Sequence, residues 1–218
     1  MAYQCNCTGF MVRNPDTKTE AFEVSHSEIS EKKAMREDAR RIRMGAHEMY
    51  GMEAAEKATK HGMGLLGSFE KHAIIGAYWP MDDELDPRFL MLELARAGYQ
   101  TALPVVTGKD SPLTFRLWGA GDPLEAGSFG TQHPSADAPT VVPNALIVPL
   151  LAYDEDCYRL GWGGGFYDRT LAAHSEIKAF GFAFGAQIVD HVPREAHDWP
   201  LQGVITEEGV ILPRKLSA

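Results

Sequence analysis

Residues 159–168 read RLGWGGGFYD, with four glycines in ten. Glycine loses more conformational freedom on folding than any other residue. Such a run persists where the backbone needs positive φ or where something must approach it closely. Successive N–H groups of a curled glycine loop can converge on an anion. A helix opening just behind the loop adds unsatisfied N–H groups and the positive end of its dipole. Phosphate fits that arrangement best. A single glycine would need no more than a tight turn; Gly161, Gly163, Gly164 and Gly165 together, flanked by Arg159 and Asp168, favour an anion cradle. Two familiar phosphate patterns do not apply. No Gly-Lys-Ser/Thr follows, as a nucleotide P-loop requires. The Gly161-x-Gly163 pair runs straight into more glycine, far from the first strand, unlike a dinucleotide fingerprint.

Other candidates are scattered along the chain. EKKAMREDARRIR is its most basic segment, and Lys32 and Arg36, four apart, can share one helix face. Taken alone, such a run reads as a solvated basic face. Asp168 could cap the helix that follows the glycines. Asp198, in EAHDWP, reads as a turn residue, with His197 beside it as a possible proton carrier. In YWPMDDELDP, Trp79 could stack on a flat heterocycle, and Glu84 could accept hydrogen bonds from a ring's N–H groups. The plainer readings are core packing for Trp79 and a charged loop for Glu84, with Asp82 and Asp83 as solvated neighbours.

The elements that must hold these residues alternate. Residues 1–26 are polar without a sustained period and read as a mobile extension, leaving 27–218 as one domain. A helix starts with Ser27 or Ser30 as N-cap, and a second helical stretch runs from about His47 to Ser68. HAIIGAYWP reads as a buried strand. DPRFLMLELARAG reads as a helix with Asp86 at its cap, Pro87 at its first position and Gly98 past its end. YQTALPVV and LTFRLW are strands, followed by a Gly/Pro-rich loop through about Pro143. ALIVPLLAYD is continuously apolar, as a central parallel strand covered on both faces should be. FYDRTLAAHS can open a helix, and IKAFGFAFGAQ and GVITEEGVIL supply late strands. The pattern predicts an α/β three-layer domain, a mainly parallel central sheet flanked by helices, with ligands beyond the carboxyl ends of its strands.

Composition narrows the partners. A net charge of −9 argues against nucleic acid, and no apolar run reaches transmembrane length. Three cysteines, Cys5, Cys7 and Cys157, give no disulfide framework and suit a reducing compartment. Cys5 and Cys7 lack a second ligand pair and read as ordinary thiols. With no secretory signal at the N-terminus, a cytoplasmic protein is expected.

RLGWGGGFYDRTL resembles the signature of the 5-formyltetrahydrofolate cyclo-ligase family, also called 5,10-methenyltetrahydrofolate synthetases. EKKAMREDARRIR, YWPMDDELDPRFL, LIVPLLAYDEDCYRLG and PREAHDWPLQGVITEEGVI extend the resemblance over about residues 30–212, in the family's order. It implies a ligase of one-carbon metabolism that uses ATP and Mg2+ to cyclise 5-formyltetrahydrofolate to 5,10-methenyltetrahydrofolate. It implies ATP contacts from Lys32, Arg36, Arg159, Leu160, Gly161, Trp162, Gly163, Gly164, Gly165, Phe166 and Tyr167. Lys33 takes the place of Lys32 if the register shifts by one. Trp79, Glu84 and residues Trp162 to Phe166 would face the folate, and Asp168 and Asp198 would bind magnesium. Arg159, Gly163, Gly164, Gly165 and Tyr167 would form the catalytic loop. The family often has Tyr where this chain has Trp162 and Phe166. A monomer is expected. Two other readings stay open: a paralogue acting on a different formyl or amide substrate, and a non-catalytic folate- or nucleotide-binding protein.

Overall fold

In a computed structural model, which describes residues 26–195 and 198–214, the apolar segments pair into one sheet and the basic segment forms one long helix. The chain order is α1 (His26–Leu66), β1 (Ile74–Gly76), α2 (Arg88–Arg96), β2 (Gln100–Val105), β3 (Thr114–Leu117), β4 (Leu124–Ala126), β5 (Gln132–Pro134), β6 (Thr140–Val141), β7 (Ala145–Val148), β8 (Ala152–Tyr153), β9 (Arg159–Leu160), α3 (Phe166–Ala173), β10 (Lys178–Phe182), β11 (Gly203–Ile205) and β12 (Val210–Ile211). The main sheet runs β12-β11-β10-β7-β1-β2-β3-β6. Its five central strands, from β11 to β2, are parallel, and antiparallel partners close both edges.

Two apolar layers explain the three-layer form. Ala145 and Ile147 of β7 face one side with Ile75, Phe180 and Phe182, against Ala54, Ala58 and Leu66 of α1 and Leu90 and Leu94 of α2. Leu146 and Val148 face the other side with Ala102, Ala179 and Val204, against Leu171 of α3. All four residues of β7 are buried, which is why that segment reads as continuously apolar rather than alternating.

The chain winds one way through β1-α2-β2 and the other way through β7-α3-β10, with the two helices on opposite faces. Neighbours β1 and β7 therefore form the switch point of the sheet, where segments leaving their carboxyl ends diverge and open a crevice. Residues 77–84 leave β1, and residues 149–168 leave β7.

Several local expectations are corrected. The helix is already under way at His26, so Ser27 and Ser30 lie inside it instead of capping it. The two expected helical stretches form one run, with a break at Tyr50 (φ −152°, ψ 24°). Helix α2 starts at Arg88, one residue later than expected, with Pro87 in the cap position; Asp86 Oδ1 nevertheless accepts the Arg88 N–H at 2.9 Å. ALIVPLLAYD is not one strand. Pro149 has no N–H for the ladder, so β7 stops at Val148 and Ala152–Tyr153 pairs with β9 in a separate hairpin. The region read as a loop up to Pro143 holds the β4–β5 hairpin and the edge strand β6. The expected extension 1–26, apart from His26, lies outside the described residues, as do Cys5, Cys7 and His197. Cys157 is fully buried at φ 61°, and burial pushes its thiol up to about 11, so it is an inert thiol at neutral pH.

Candidate active site

The glycine run connects β9 to α3 across the mouth of the crevice. Gly163 (φ 96°) and Gly165 (φ 65°) take left-handed backbone, and Gly165 occupies the N-cap position of α3. Gly161 and Gly164 do not share that conformation, so the expectation of positive φ holds at two of the four positions. A Cβ at Gly163 would stand 3.3 Å from the Arg36 guanidinium. Helix α3 begins directly after Gly165, and the N–H groups of a helix's first turn have no partner within the helix, which suits an anion.

Three side chains fasten this loop. Arg36 Nε donates to the Gly161 carbonyl at 3.0 Å, tying the loop to α1. Arg169 donates to the carbonyls of Gly164 at 2.9 Å, Lys109 at 3.1 Å and Ser111 at 3.3 Å, and stands over the Phe166 ring. Arg159, on β9, reaches Asp168 Oδ1 at 2.6 Å and donates to the Trp199 carbonyl at 2.9 Å. Asp168 therefore lies inside the first turn as the partner of a buried guanidinium; the expected capping role is absent because Gly165 holds the cap position. Leu160 is buried, behind the loop rather than in it.

Lys32 and Arg36 do share a face of α1, and that face turns inward. Lys32 Nζ contacts Glu195 Oε1 at 2.6 Å and Asp198 Oδ2 at 3.2 Å, while Lys33 is exposed. Burial disfavours the Lys32 ammonium, but the two carboxylates outweigh it and raise its pKa, so it stays charged at neutral pH. Asp198 Oδ2 also accepts the Glu195 N–H at 2.8 Å, which fixes the turn that presents it.

The β1 side supplies the acid. Glu84 is 3% exposed, so it is no solvated loop charge. Its Oε2 accepts the Met81 N–H at 3.0 Å; its Oε1 lies 3.4 Å from Trp162 Nε1 and 3.5 Å from Arg43 Nη1. Burial raises the Glu84 pKa, against the opposing pull of the Met81 N–H, Arg43 and Trp162. Asp83, expected to be merely solvated, is gripped by Arg43 through two bonds of 2.8 and 3.1 Å. Tyr167 sits between the two sides. Burial, then the charge of Glu84, push its phenol far up against the opposing effect of Arg159, so it remains a proton donor in any neutral-pH contact.

Not every expected pair meets. Trp79 packs edge-on to Trp118, with ring centroids 5.5 Å apart, beneath the Arg88 guanidinium. Phe166 faces Arg169 and the exposed Phe129. Trp162 instead joins Glu84, with Arg40 and Arg43 standing over its ring at 4.7 and 5.1 Å. Sequence reasoning missed Arg43 and Arg169. Arg43 had a signal, being seven residues beyond Arg36 and therefore on the same helix face. Arg169 had none, because its partners come from loops remote in sequence.

Among the described residues no group of three or more His, Cys, Asp or Glu side chains could hold a metal ion alone. Asp168 and Asp198 are nevertheless oxygen donors of the kind a hard cation takes. Both now face cations, Arg159 and Lys32.

Comparison with known proteins places the chain in a family. The model of the 5-formyltetrahydrofolate cyclo-ligase family matches residues 28–207. The chain is 36% identical over 143 residues to the 5-formyltetrahydrofolate cyclo-ligase of Escherichia coli K12, covering 62% of this chain and 79% of that one. It is 30% identical over 179 residues to the Haemophilus influenzae enzyme of that name, covering 78% and 95%. The NMR structure of Aquifex aeolicus 5,10-methenyltetrahydrofolate synthetase superposes with a TM-score of 0.69 at 25% identity, over 86% of this chain and 95% of that one. The Mycoplasma pneumoniae 5,10-methenyltetrahydrofolate synthetase shares the fold, with a TM-score of 0.64 at 21% identity over 81% and 98%. With its signature loop, its switch-point crevice and a family match over most of its length, the chain belongs to the 5-formyltetrahydrofolate cyclo-ligase family.

Proposed function

We propose that the chain cyclises 5-formyltetrahydrofolate to 5,10-methenyltetrahydrofolate at the expense of ATP, releasing ADP and phosphate. One observation carries the reading: the glycine run Gly161–Gly165, with Lys32 and Arg36 beside it, lines one side of the crevice and the buried acid Glu84 lies on the other, an arrangement that suits phosphate on one side and a pterin on the other. The formyl oxygen is a poor leaving group. In the proposed reaction it attacks the terminal phosphorus of ATP, and the bond to ADP breaks. The 10-nitrogen then attacks the activated carbon and loses its proton, and the carbon–oxygen bond breaks with release of phosphate.

The protein's part is positioning and charge neutralisation. The glycine N–H groups and the start of α3 receive phosphate oxygens, and Lys32, Arg36 and Arg159 supply positive charge around them. Phe166 and Tyr167 wall the loop. Glu84 accepts N–H groups of the pterin, with Trp162 and Trp79 offering aromatic faces. Asp168 and Asp198 would hold a magnesium ion, which when bound neutralises phosphate charge. The catalytic unit is residues 27–218, acting as a monomer in the cytoplasm. No helix among the described residues is long and apolar enough to cross a membrane.

The test is turnover. Purified protein with 5-formyltetrahydrofolate should develop the absorbance of the methenyl product only when ATP and magnesium are both present. Product formed equally well without ATP, or none formed with it, overturns the proposal.

A further inference from the structure

Arg43 is a fully buried cation, 1% exposed, that touches both walls of the crevice. Its Nη2 and Nε bind the two oxygens of Asp83 at 2.8 and 3.1 Å. That bidentate grip fixes the plane of the guanidinium. The same plane directs Nη1 at Glu84 Oε1, 3.5 Å away, and places Cζ 5.1 Å from the centre of the Trp162 ring. Asp83 and Glu84 follow β1, Trp162 belongs to the glycine run, and Arg43 sits on α1.

The contacts of Glu84 are unequal. Oε2 is well held by the Met81 N–H at 3.0 Å. Oε1 receives two long contacts, 3.5 Å from Arg43 and 3.4 Å from Trp162 Nε1. Those lie at the weak end of hydrogen-bond geometry. A ligand N–H can therefore compete for Oε1, and doing so alters the one polar contact between the acid and Trp162. The backbone of Trp162 belongs to the phosphate loop, and its neighbour Gly161 is fastened to α1 by Arg36 at 3.0 Å, which links the ring's position to that of the loop.

We propose that Arg43 is a positioning residue that couples the two substrate sites. It holds Glu84, on the folate side, against the Trp162 ring, which faces the folate but is carried by the phosphate-binding loop, so that engagement of either site changes the affinity for the other. This rests on the function proposed above. Lysine cannot replace it, since an ammonium has neither the planar fork for Asp83 nor a flat face for the indole.

The experiment measures dissociation constants by calorimetry for a non-reactive reduced folate, without and with a saturating non-hydrolysable ATP analogue. Wild-type protein should show a coupling factor of about 5-fold or more, equal when the order of addition is reversed. In Arg43→Lys the factor should fall to about one while each ligand alone still binds. A role in stability alone would lower the melting temperature and leave the factor unchanged. Trp162→Phe keeps an aromatic face, though a smaller one, and removes the N–H to Glu84. Since Trp162 is 41% exposed, that variant is expected to fold even if Arg43→Lys does not, and its factor should fall as well. An unchanged factor in folded Arg43→Lys, or in Trp162→Phe if Arg43→Lys does not fold, overturns the coupling role and leaves the proposed function standing, as does a wild-type factor of one. A wild-type protein that binds neither ligand overturns both.

Discussion

Replacing Asp168 with Asn separates its structural from its proposed ligand role. The Arg159 side chain is 6% exposed and that of Asp168 22%, at 2.6 Å. Breaking a buried pair by removing one charge costs about 3–5 kcal/mol. Here Asn keeps an acceptor oxygen, and the Trp199 carbonyl still receives one guanidinium N–H, so the cost should fall to about 2 kcal/mol. A chain of this length then melts about 4–8 °C lower. Loss of a cap does not contribute, since Gly165 holds that position. Calorimetry without ligands reads this effect, and the Arg159→Met/Asp168→Asn pair should be less than additive, because the stranded guanidinium is gone. Turnover reads the other role: it should drop by about 100-fold or more, as when one preorganised electrostatic element is lost, and recover in part as magnesium is raised. An unshifted melting temperature would refute the ion-pair reasoning. Full turnover at limiting magnesium would refute Asp168 as a metal ligand.

Gly163→Ala forces a side chain into φ 96° with its Cβ 3.3 Å from the Arg36 guanidinium. It should cost about 1–2 kcal/mol of stability and raise the KM for ATP while folate binding alone persists; an unaltered KM for ATP contradicts the phosphate-cradle reading. Asp83→Asn tests the acid limb of stability. Burial pushes the Asp83 carboxyl up, but its bonds to Arg43 win and hold it below 3.8, so its contribution is present above that pH and is lost as the pH falls through the folded value. Urea unfolding should show the variant weaker than wild type near neutral pH and the two converging once the pH has fallen through the folded value; a gap that persists in acid refutes the assignment.

The sequence by itself determined the kind of chemistry. A glycine run between Arg159 and Asp168 reads as an anion loop because the left-handed backbone found at Gly163 and Gly165 favours glycine and a bare backbone admits a close approach. The paired periodicities of strand and helix declare an α/β sheet because every residue of β7 must be buried. The helix face holding Lys32 and Arg36 follows from their spacing. Tertiary structure alone decided which residues meet. Glu84 reaches Trp162, 78 positions away, because β1 and β7 are neighbours at the point where the sheet reverses its winding. Asp83 looked solvated because its partner Arg43 lies 40 residues upstream. Asp168 looked like a cap because nothing local shows that Arg159 turns toward it. A charge's partner depends on distances through space, and these are set only when the apolar layers on both faces of the sheet have packed.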